Sequence, residues 1–177
     1  NPRTLQYSVS IEREIVKDLN FLVAYNYAKS TRLTTFINRG DGRLYAGGVS
    51  PFERGNGSGV GEIRSTESIG RSLFQGLTLG LTKRFSNRFQ FQANYLLSSD
   101  RSSDDNERDP FTFRYVDPRN LSSEYGYSDR DQRHRFNAFA VFNLPYDITL
   151  SPIMQYRSAQ PTSVPNRTIA TARNTLR

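Results

Sequence analysis

The sequence predicts an all-β protein built as an antiparallel up-and-down meander of about six strands. Three observations support this fold class: apolar and polar residues alternate with a period of two, helical periodicity is scarce, and short connections alternate with long polar ones. The chain has 177 residues, which suits one ordinary domain or a piece of a larger one.

Six segments carry the alternation that predicts a strand. They are residues 5–13, 19–29, 72–85, 89–98, 134–144 and 148–157. The first four alternate along most of their length. In the fifth, Phe139 and Val141 interrupt the polar side, and in the sixth Pro152 cannot donate a ladder hydrogen bond. The last two strands are therefore the weakest predictions.

The connections between these segments alternate in length. Short turns are expected at residues 14–18, 86–88 and 145–147, and long external loops at residues 30–68, 98–132 and 158–177. A compact soluble domain rarely has several structureless loops longer than about 15 residues, whereas outer-membrane barrels have short periplasmic turns and long external loops. This rhythm favours a transmembrane β-barrel. A soluble β-sandwich binding module remains an alternative, because alternation also fits an apolar face packed on a second sheet.

Aromatic residues fall near both ends of the predicted strands, as the two membrane interfaces require. Those near the loops are Tyr7, Tyr27, Tyr95, Phe136 and Tyr156, and those near the turns are Phe21, Phe85, Phe89, Phe142 and Tyr146. The opposite face is rich in Ser, Gln, Asn, Thr and Gly, which suits a wet lumen. Single-chain bacterial barrels start at about eight strands, so we expect a fragment of a larger barrel in the bacterial outer membrane.

Composition argues against several other classes of protein. The net charge is +7, but the arginines are scattered through turns and loops, which speaks against nucleic acid as a partner. The chain has no cysteine, which excludes disulfides and thiolate metal sites within it. Mean hydropathy is −0.65, and no run approaches the roughly 18 apolar residues of a membrane helix.

Signals for catalysis or cofactor binding are weak. His134, the single histidine, lies near Asp129 and Asp131 and could form a base–orienter pair, but no nucleophile is placed beside it. The acidic run at residues 100–109 lacks the order of a calcium loop, and the glycine-rich run at residues 55–61 is not followed by Lys-Ser/Thr. We expect no enzyme activity, no metal and no cofactor.

Aromatic and basic residues in the long loops are the candidate contacts for an external ligand, which the sequence does not identify. They are Arg54, Phe113, Arg114, Tyr115, Tyr125, Tyr127, Arg133 and His134. Aromatic rings and guanidinium groups give a large contact area at low entropic cost. The phosphates of lipopolysaccharide are an equally good partner for the arginines, and the alternating apolar face is expected to meet membrane lipid.

Three short motifs resemble the late barrel strands of TonB-dependent receptors. They are DRDQRHRF (residues 129–136), NLP (residues 143–145) and RSAQP (residues 157–161). The Oar-like group, whose members often carry a carboxypeptidase-regulatory-like domain, is the most similar. Ala159 stands where that group usually has glycine, and Thr162 where it has an aromatic residue.

The resemblance implies a segment of the barrel wall of an outer-membrane receptor or transporter. No plug domain is expected within residues 1–177. The expected partners are the remainder of the same barrel, its plug and, through the parent protein, an inner-membrane energy-coupling complex. A structural or adhesive outer-membrane protein that uses its loops for contact is the other alternative.

Overall fold

The computed structural model describes residues 1–40, 63–103 and 120–161. These residues form one antiparallel sheet of eight strands, which confirms the predicted fold class. The strands are β1 Arg3–Val16, β2 Leu19–Asn38, β3 Arg64–Ser86, β4 Phe89–Ser102, β5 Gly126–Tyr127, β6 His134–Asn143, β7 Thr149–Leu150 and β8 Ile153–Arg157. A 3-10 helix spans Leu121–Glu124. None of the described residues forms a helix long and apolar enough to cross a membrane.

The sheet is an open meander in the order β1-β2-β3-β4-β6-β7, with β5 on β4 and β8 on β6. Within the described residues, β1 pairs with β2 alone and β8 pairs with β6 alone. Both lateral edges of the sheet therefore lack a partner strand in this part of the chain.

Tight turns join the strands at one end of the sheet, which we call the turn end. Asn87 and Arg88 have φ of 51° and 70°, and Tyr146 and Asp147 have φ of 65° and 58°. Two consecutive positive φ values are the mark of a type I′ turn, whose twist matches that of a β-hairpin. The opposite end, which carries the long connections, is called the loop end.

The register collects the predicted apolar residues on one side of the sheet, the apolar face. One row across it runs Ile11, Val23, Leu79, Tyr95, Phe136 and Tyr156. The polar face is the other side, where a row runs Ser10, Ala24, Thr78, Leu96, Arg135 and Arg157. Phe139 and Val141 lie on the polar face, opposite Gln92 and Gln90.

Aromatic pairs lie on the apolar face near both ends. Tyr7 stacks on Tyr27 towards the loop end, with ring centroids 4.6 Å apart. At the turn end Phe89 stacks on Phe142 at 5.9 Å and on Phe91 at 6.4 Å. This arrangement is the one that the two interfaces of a bilayer favour.

The sheet has almost no hydrophobic core. Among the described residues Ile37, 3% exposed, is the one buried hydrophobic side chain. Val9, Ile11 and Met154 on the apolar face are 64%, 71% and 60% exposed. A face of this kind is stable only when another apolar medium covers it.

The predicted loop at residues 30–68 is wrong at both ends, because β2 continues to Asn38 and β3 begins at Arg64. Alternation breaks at a bulge: Leu33 pairs with Gly70 and Thr34 with Ser68, so Arg32 and Ile69 have no partner in the pairing. One extra residue in each strand reverses which side of the sheet the following side chains face. The strand continues while its period-two signal is interrupted.

Beyond the bulge, residues 33–38 and 64–70 form a two-stranded extension that we call the ribbon. The Asn38 Oδ1 atom closes its tip by accepting hydrogen bonds from the main-chain N of Gly40 and Ile63, at 2.9 and 3.0 Å. Arg39 and Glu67 form an ion pair beside this tip. β2 has 20 residues and β3 has 23, well above the roughly 9–11 that a strand needs to cross a bilayer.

The other two predicted loops and the sixth strand also differ from the structure. β4 extends to Ser102 and β5 lies within the predicted loop at residues 98–132. The sixth strand is divided into β7 and β8 around Pro152, which has no N–H to donate to the ladder. Most of the predicted loop at residues 158–177 lies outside the described residues.

Candidate functional site at the loop end

The chain folds back onto the loop end of β4 before it enters β6. Tyr127 pairs with Arg101 and Gly126 with Ser102. The residues that this return brings together are called the rim cluster. They are Ser98, Asp100, Arg101, Tyr127, Ser128, Asp131 and Arg133. Three of them, Ser98, Ser128 and Asp131, are buried although each is polar.

Asp131 organises the turn of the rim cluster. Its side chain is 5% exposed, and Oδ1 accepts a hydrogen bond of 2.9 Å from the main-chain N of Asp100. The Ser128 N–H donates to the Asp100 carbonyl at 2.9 Å, and the Asp131 N–H donates to the Ser128 carbonyl at 2.9 Å. A buried carboxylate is stable when N–H donors such as that of Asp100 satisfy it. The three hydrogen bonds together order the returning segment and join it to β4.

Ser98 and Arg133 make the next connection towards β6. The Ser98 main-chain N donates to the Arg133 carbonyl at 3.0 Å, and its hydroxyl donates to the Gln132 carbonyl at 3.2 Å. The Arg133 guanidinium lies 3.5 Å from Asp131 Oδ2. Residues 126–133 are thus held by backbone and side-chain bonds together.

Tyr127 lies between two guanidinium groups. The central carbons of Arg101 and Arg133 are 4.8 and 4.7 Å from its ring centroid, and Arg101 donates a hydrogen bond of 3.1 Å to its hydroxyl. Hydrogen bonding from Arg133 first, and from Arg101 second, lowers the pKa of Tyr127 below its ordinary value. The same contact raises the pKa of Arg133. The arrangement concentrates positive charge beside an aromatic ring, which suits anionic or aromatic ligands.

A second cation–aromatic pair lies on the neighbouring strand. The Arg71 guanidinium is 4.3 Å from the centroid of the Tyr125 ring. Ser103 fixes the Arg71 backbone, because its hydroxyl oxygen accepts from Arg71 N at 2.9 Å and its main-chain N donates to the Arg71 carbonyl at 2.9 Å. Tyr125 and Tyr127 therefore both bring a ring to an arginine of the loop end.

His134 begins β6 on the apolar face, opposite Leu97. Its Nδ1 lies 2.7 Å from the Tyr95 hydroxyl, and the two rings stack with centroids 6.1 Å apart. The Ser158 hydroxyl accepts a hydrogen bond of 3.1 Å from the main-chain N of His134 and so fixes the backbone at the start of β6. The contacts of His134 are those of a strand-end residue at a membrane interface. Absence of enzyme activity stays a prediction.

Of the eight candidate ligand contacts, four lie at the loop end of the described sheet: Tyr125, Tyr127, Arg133 and His134. The structure brings Tyr127 and Arg133 together, while Tyr125 lies on Arg71 and His134 lies on Tyr95. The other four, Arg54, Phe113, Arg114 and Tyr115, lie outside the described residues.

Sequence reasoning missed Arg71 and Arg101 and gave Asp131 a different role. A signal for the two arginines exists, since Arg71 and Arg101 continue the period-two positions of Leu73 and Leu97 beyond the predicted strand ends. Asp131 orients Asp100 and Arg133 rather than His134. In the described part of the chain, no three His, Asp or Glu side chains are grouped so that they could hold a metal ion.

The comparison with protein families matches this architecture. Residues 1–174 match the model of the family described as outer membrane beta barrel domain. No curated protein and no solved structure gives a significant match. The match covers nearly the whole chain and agrees with an antiparallel sheet whose apolar face is uncovered. The match supports location in the bacterial outer membrane and argues against the soluble β-sandwich. The chain belongs to the outer membrane beta barrel domain family.

Proposed function

We propose that the chain is a segment of the barrel wall of a TonB-dependent outer-membrane receptor or transporter. The observation that carries the proposal is the structural role of residues 129–136, which resemble that group in sequence. In this segment Asp131 and Arg133 fix the returning loop to β4, and His134 starts β6 at the loop end. The residues that carry the resemblance are thus the ones that join an external loop to a barrel strand.

The open edges of the sheet support a larger barrel. In hydrocarbon each unpaired backbone N–H or C=O costs several kcal/mol, so strands β1 and β8 need neighbours. We infer that other strands of the same barrel pair with both edges. The polar face would then line an interior that holds water or a plug, as its Ser8, Asn26 and Thr78 side chains suit.

The rim cluster would contribute to the external ligand site, together with the long loops. Tyr127, Arg101 and Arg133 supply a ring and two guanidinium groups at the position where β4 meets an external segment. The chemistry favours a ligand with anionic and aromatic or ring-shaped parts. Transport would draw on a plug and on an inner-membrane energy-coupling complex.

Labelling of single cysteines tests the orientation that this proposal needs, and the chain itself has no background cysteine. Asp129→Cys lies at the loop end and Lys17→Cys in the first turn; both residues are exposed. On intact cells, a membrane-impermeant maleimide should label position 129 and not position 17. Labelling of position 17 alone would show that the barrel has the opposite orientation in the membrane. Equal labelling of both positions would contradict a membrane-spanning arrangement.

A binding measurement separates a receptor from a structural or adhesive barrel. The intact protein is purified from outer membranes, and binding of the periplasmic domain of the same bacterium's energy-coupling protein is measured by surface plasmon resonance. We expect saturable binding, whereas a porin from the same membrane, as the control, should show none. Absence of binding to the intact protein would overturn the transporter proposal in favour of the structural or adhesive protein.

A further inference from the structure

A positively charged residue lies at, or next to, the loop-end limit of the apolar face on each of the first four strands. As far as the bulge, the last residues on this face are Arg3 on β1, Arg71 on β3 and Arg101 on β4, and on β2 Lys29 is followed on this face by Thr31 alone. On β2 the series runs Phe21, Val23, Tyr25, Tyr27 and Lys29, so an apolar stretch passes through aromatic rings to a cation.

These four side chains lie close together across the sheet. Arg3 pairs with Thr31, which pairs with Arg71, and Lys29 and Arg101 both pair with Leu73 in the adjacent row. Neighbouring strands lie about 4.8 Å apart, and successive residues on one face are about 7 Å apart along a strand. Four long cationic side chains therefore share a patch of the size of a lipid headgroup.

Charge of the opposite sign lies on the other face. On the turn-end side of the bulge, the acidic residues that take part in strand pairing in β1–β4 are Glu12, Glu14 and Asp100. All three lie on the polar face. Glu12 accepts a hydrogen bond of 3.2 Å from the Asn20 side chain, and Glu14 accepts one of 2.8 Å from the main-chain N of Asp18 at the first turn. Among these described strand positions, no carboxylate on the apolar face neutralises the four cations.

The patch lies just beyond an aromatic level. Tyr7 and Tyr27 stack next to it on the turn-end side, and tyrosines occupy the interface between hydrocarbon and headgroups. The next positions outward are at the level of the headgroups. Tyr125 and Tyr127 hold the guanidinium groups of Arg71 and Arg101 at 4.3 and 4.8 Å from their ring centroids, which reduces the entropy that these arginines lose on binding.

We propose that Arg3, Lys29, Arg71 and Arg101 form a binding site on the outside of the barrel for the phosphate groups of lipopolysaccharide in the outer leaflet. Guanidinium groups bind phosphate through paired N–H donors, and lysine adds a mobile positive charge. The site is distinct from the external ligand site, since its cations lie on the face that meets lipid; Arg101 is the residue that it shares with the rim cluster. It rests on the outward direction of the apolar face and does not depend on energy coupling.

Two matched double variants of the intact protein test the site. Arg71→Gln/Arg101→Gln removes two charges from the apolar face, and Arg135→Gln/Arg157→Gln removes two charges from the polar face. Each protein is purified from outer membranes, stripped of lipid in detergent and checked for the heat-dependent gel shift of a folded barrel. Binding of fluorescent lipopolysaccharide is then titrated.

The apolar-face variant should bind lipopolysaccharide at least about tenfold more weakly than the wild type, because it loses charge-assisted hydrogen bonds. The polar-face variant should stay within about twofold. Lipopolysaccharide that has been dephosphorylated enzymatically should bind the wild type as weakly as intact lipopolysaccharide binds the apolar-face variant.

Several results would overturn the proposal. These are equal binding by the two variants, undiminished binding of dephosphorylated lipopolysaccharide, displacement by millimolar inorganic phosphate alone, or equally tight binding of phosphatidylglycerol vesicles. If the double variant fails to fold, lipopolysaccharide binding is compared between Lys29→Gln on the apolar face and Arg157→Gln on the polar face. Each of these variants removes one positive charge. Binding of the energy-coupling domain should be the same in all these variants, so failure of one proposal is distinguishable from failure of the other.

Discussion

The middle of the sheet and its loop end are organised by different physical rules. In the middle, each side chain is assigned to a face by strict alternation, as Leu79 and Thr78 are on adjacent positions of β3. At the loop end, the conformation depends on particular atoms: a double bulge opposite Gly70, and a carboxylate of Asp131 that binds a main-chain N–H. The middle should tolerate many residues of the right polarity, whereas the loop end should be sensitive to a few single substitutions.

The largest effect is expected for a charge placed on the apolar face in the middle. Leu79 lies between Val23 and Tyr95, and Leu79→Arg should cost about 2–4 kcal/mol of unfolding free energy in the assembled barrel. Thr78→Arg places the same side chain on the polar face and should cost less than about 1 kcal/mol. Urea titration of the intact protein in liposomes, followed by the heat-dependent gel shift, measures both. Equal losses at the two positions would refute the assignment of the faces.

The bulge at the loop end gives the next largest effect. A Cβ atom at Gly70 would lie 2.8 Å from Thr35 Oγ1, 3.0 Å from Leu33 Cβ and 3.1 Å from the Leu33 carbonyl oxygen. Gly70→Ala should therefore destabilise the ribbon by about 1–3 kcal/mol. Hydrogen exchange of the amides in residues 33–38, monitored by mass spectrometry, should accelerate accordingly.

Gly126→Ala is the matched control, since its Cβ would meet no atom within 4 Å. It should leave exchange in the ribbon unchanged. If Gly70→Ala also leaves the exchange rates of residues 33–38 unchanged, the close packing at the bulge is not what fixes this conformation.

The same contrast explains how far the sequence predicted the structure. Alternation identified the middle of the sheet because a lipid-facing strand repeats its polarity every two residues. It failed beyond Thr31, where the bulge at Arg32 reverses the pattern, and at Pro152, which divides the last strand. The rim cluster was predicted only in part, because the contact of Asp131 with Asp100 joins residues 31 positions apart and leaves no periodic signal.

Removal of the Asp131 carboxylate should have an intermediate effect at the loop end. Asp131→Ala removes the carboxylate oxygen that accepts the hydrogen bond from the Asp100 N–H and should cost about 1–2 kcal/mol of local stability. Asp131→Asn retains an oxygen at this position and should cost less, although it loses the charge opposite Arg133. Limited proteolysis between residues 120 and 133 measures local opening. Equal cleavage of the Ala variant and the wild type would show that this carboxylate does not hold the returning segment.

The smallest effect is electrostatic and concerns Tyr127. Its pKa is lowered by Arg133 and then by Arg101, so its phenol should ionise at a lower pH than the ordinary value of 10.0. Because the folded state favours the charged form, the stabilisation from ionised Tyr127 appears as the pH rises through the lowered pKa and is complete above the ordinary value; it is lost as the pH falls.

A titration of phenolate absorbance, taken as the difference between the wild type and Tyr127→Phe, measures this pKa. Arg133→Gln should raise it more than Arg101→Gln does, because the Arg133 hydrogen bond is the larger cause. If neither substitution changes the pKa of Tyr127, the two guanidinium groups do not stabilise the phenolate. The positive charge of the loop end would then be independent of the Tyr127 hydroxyl.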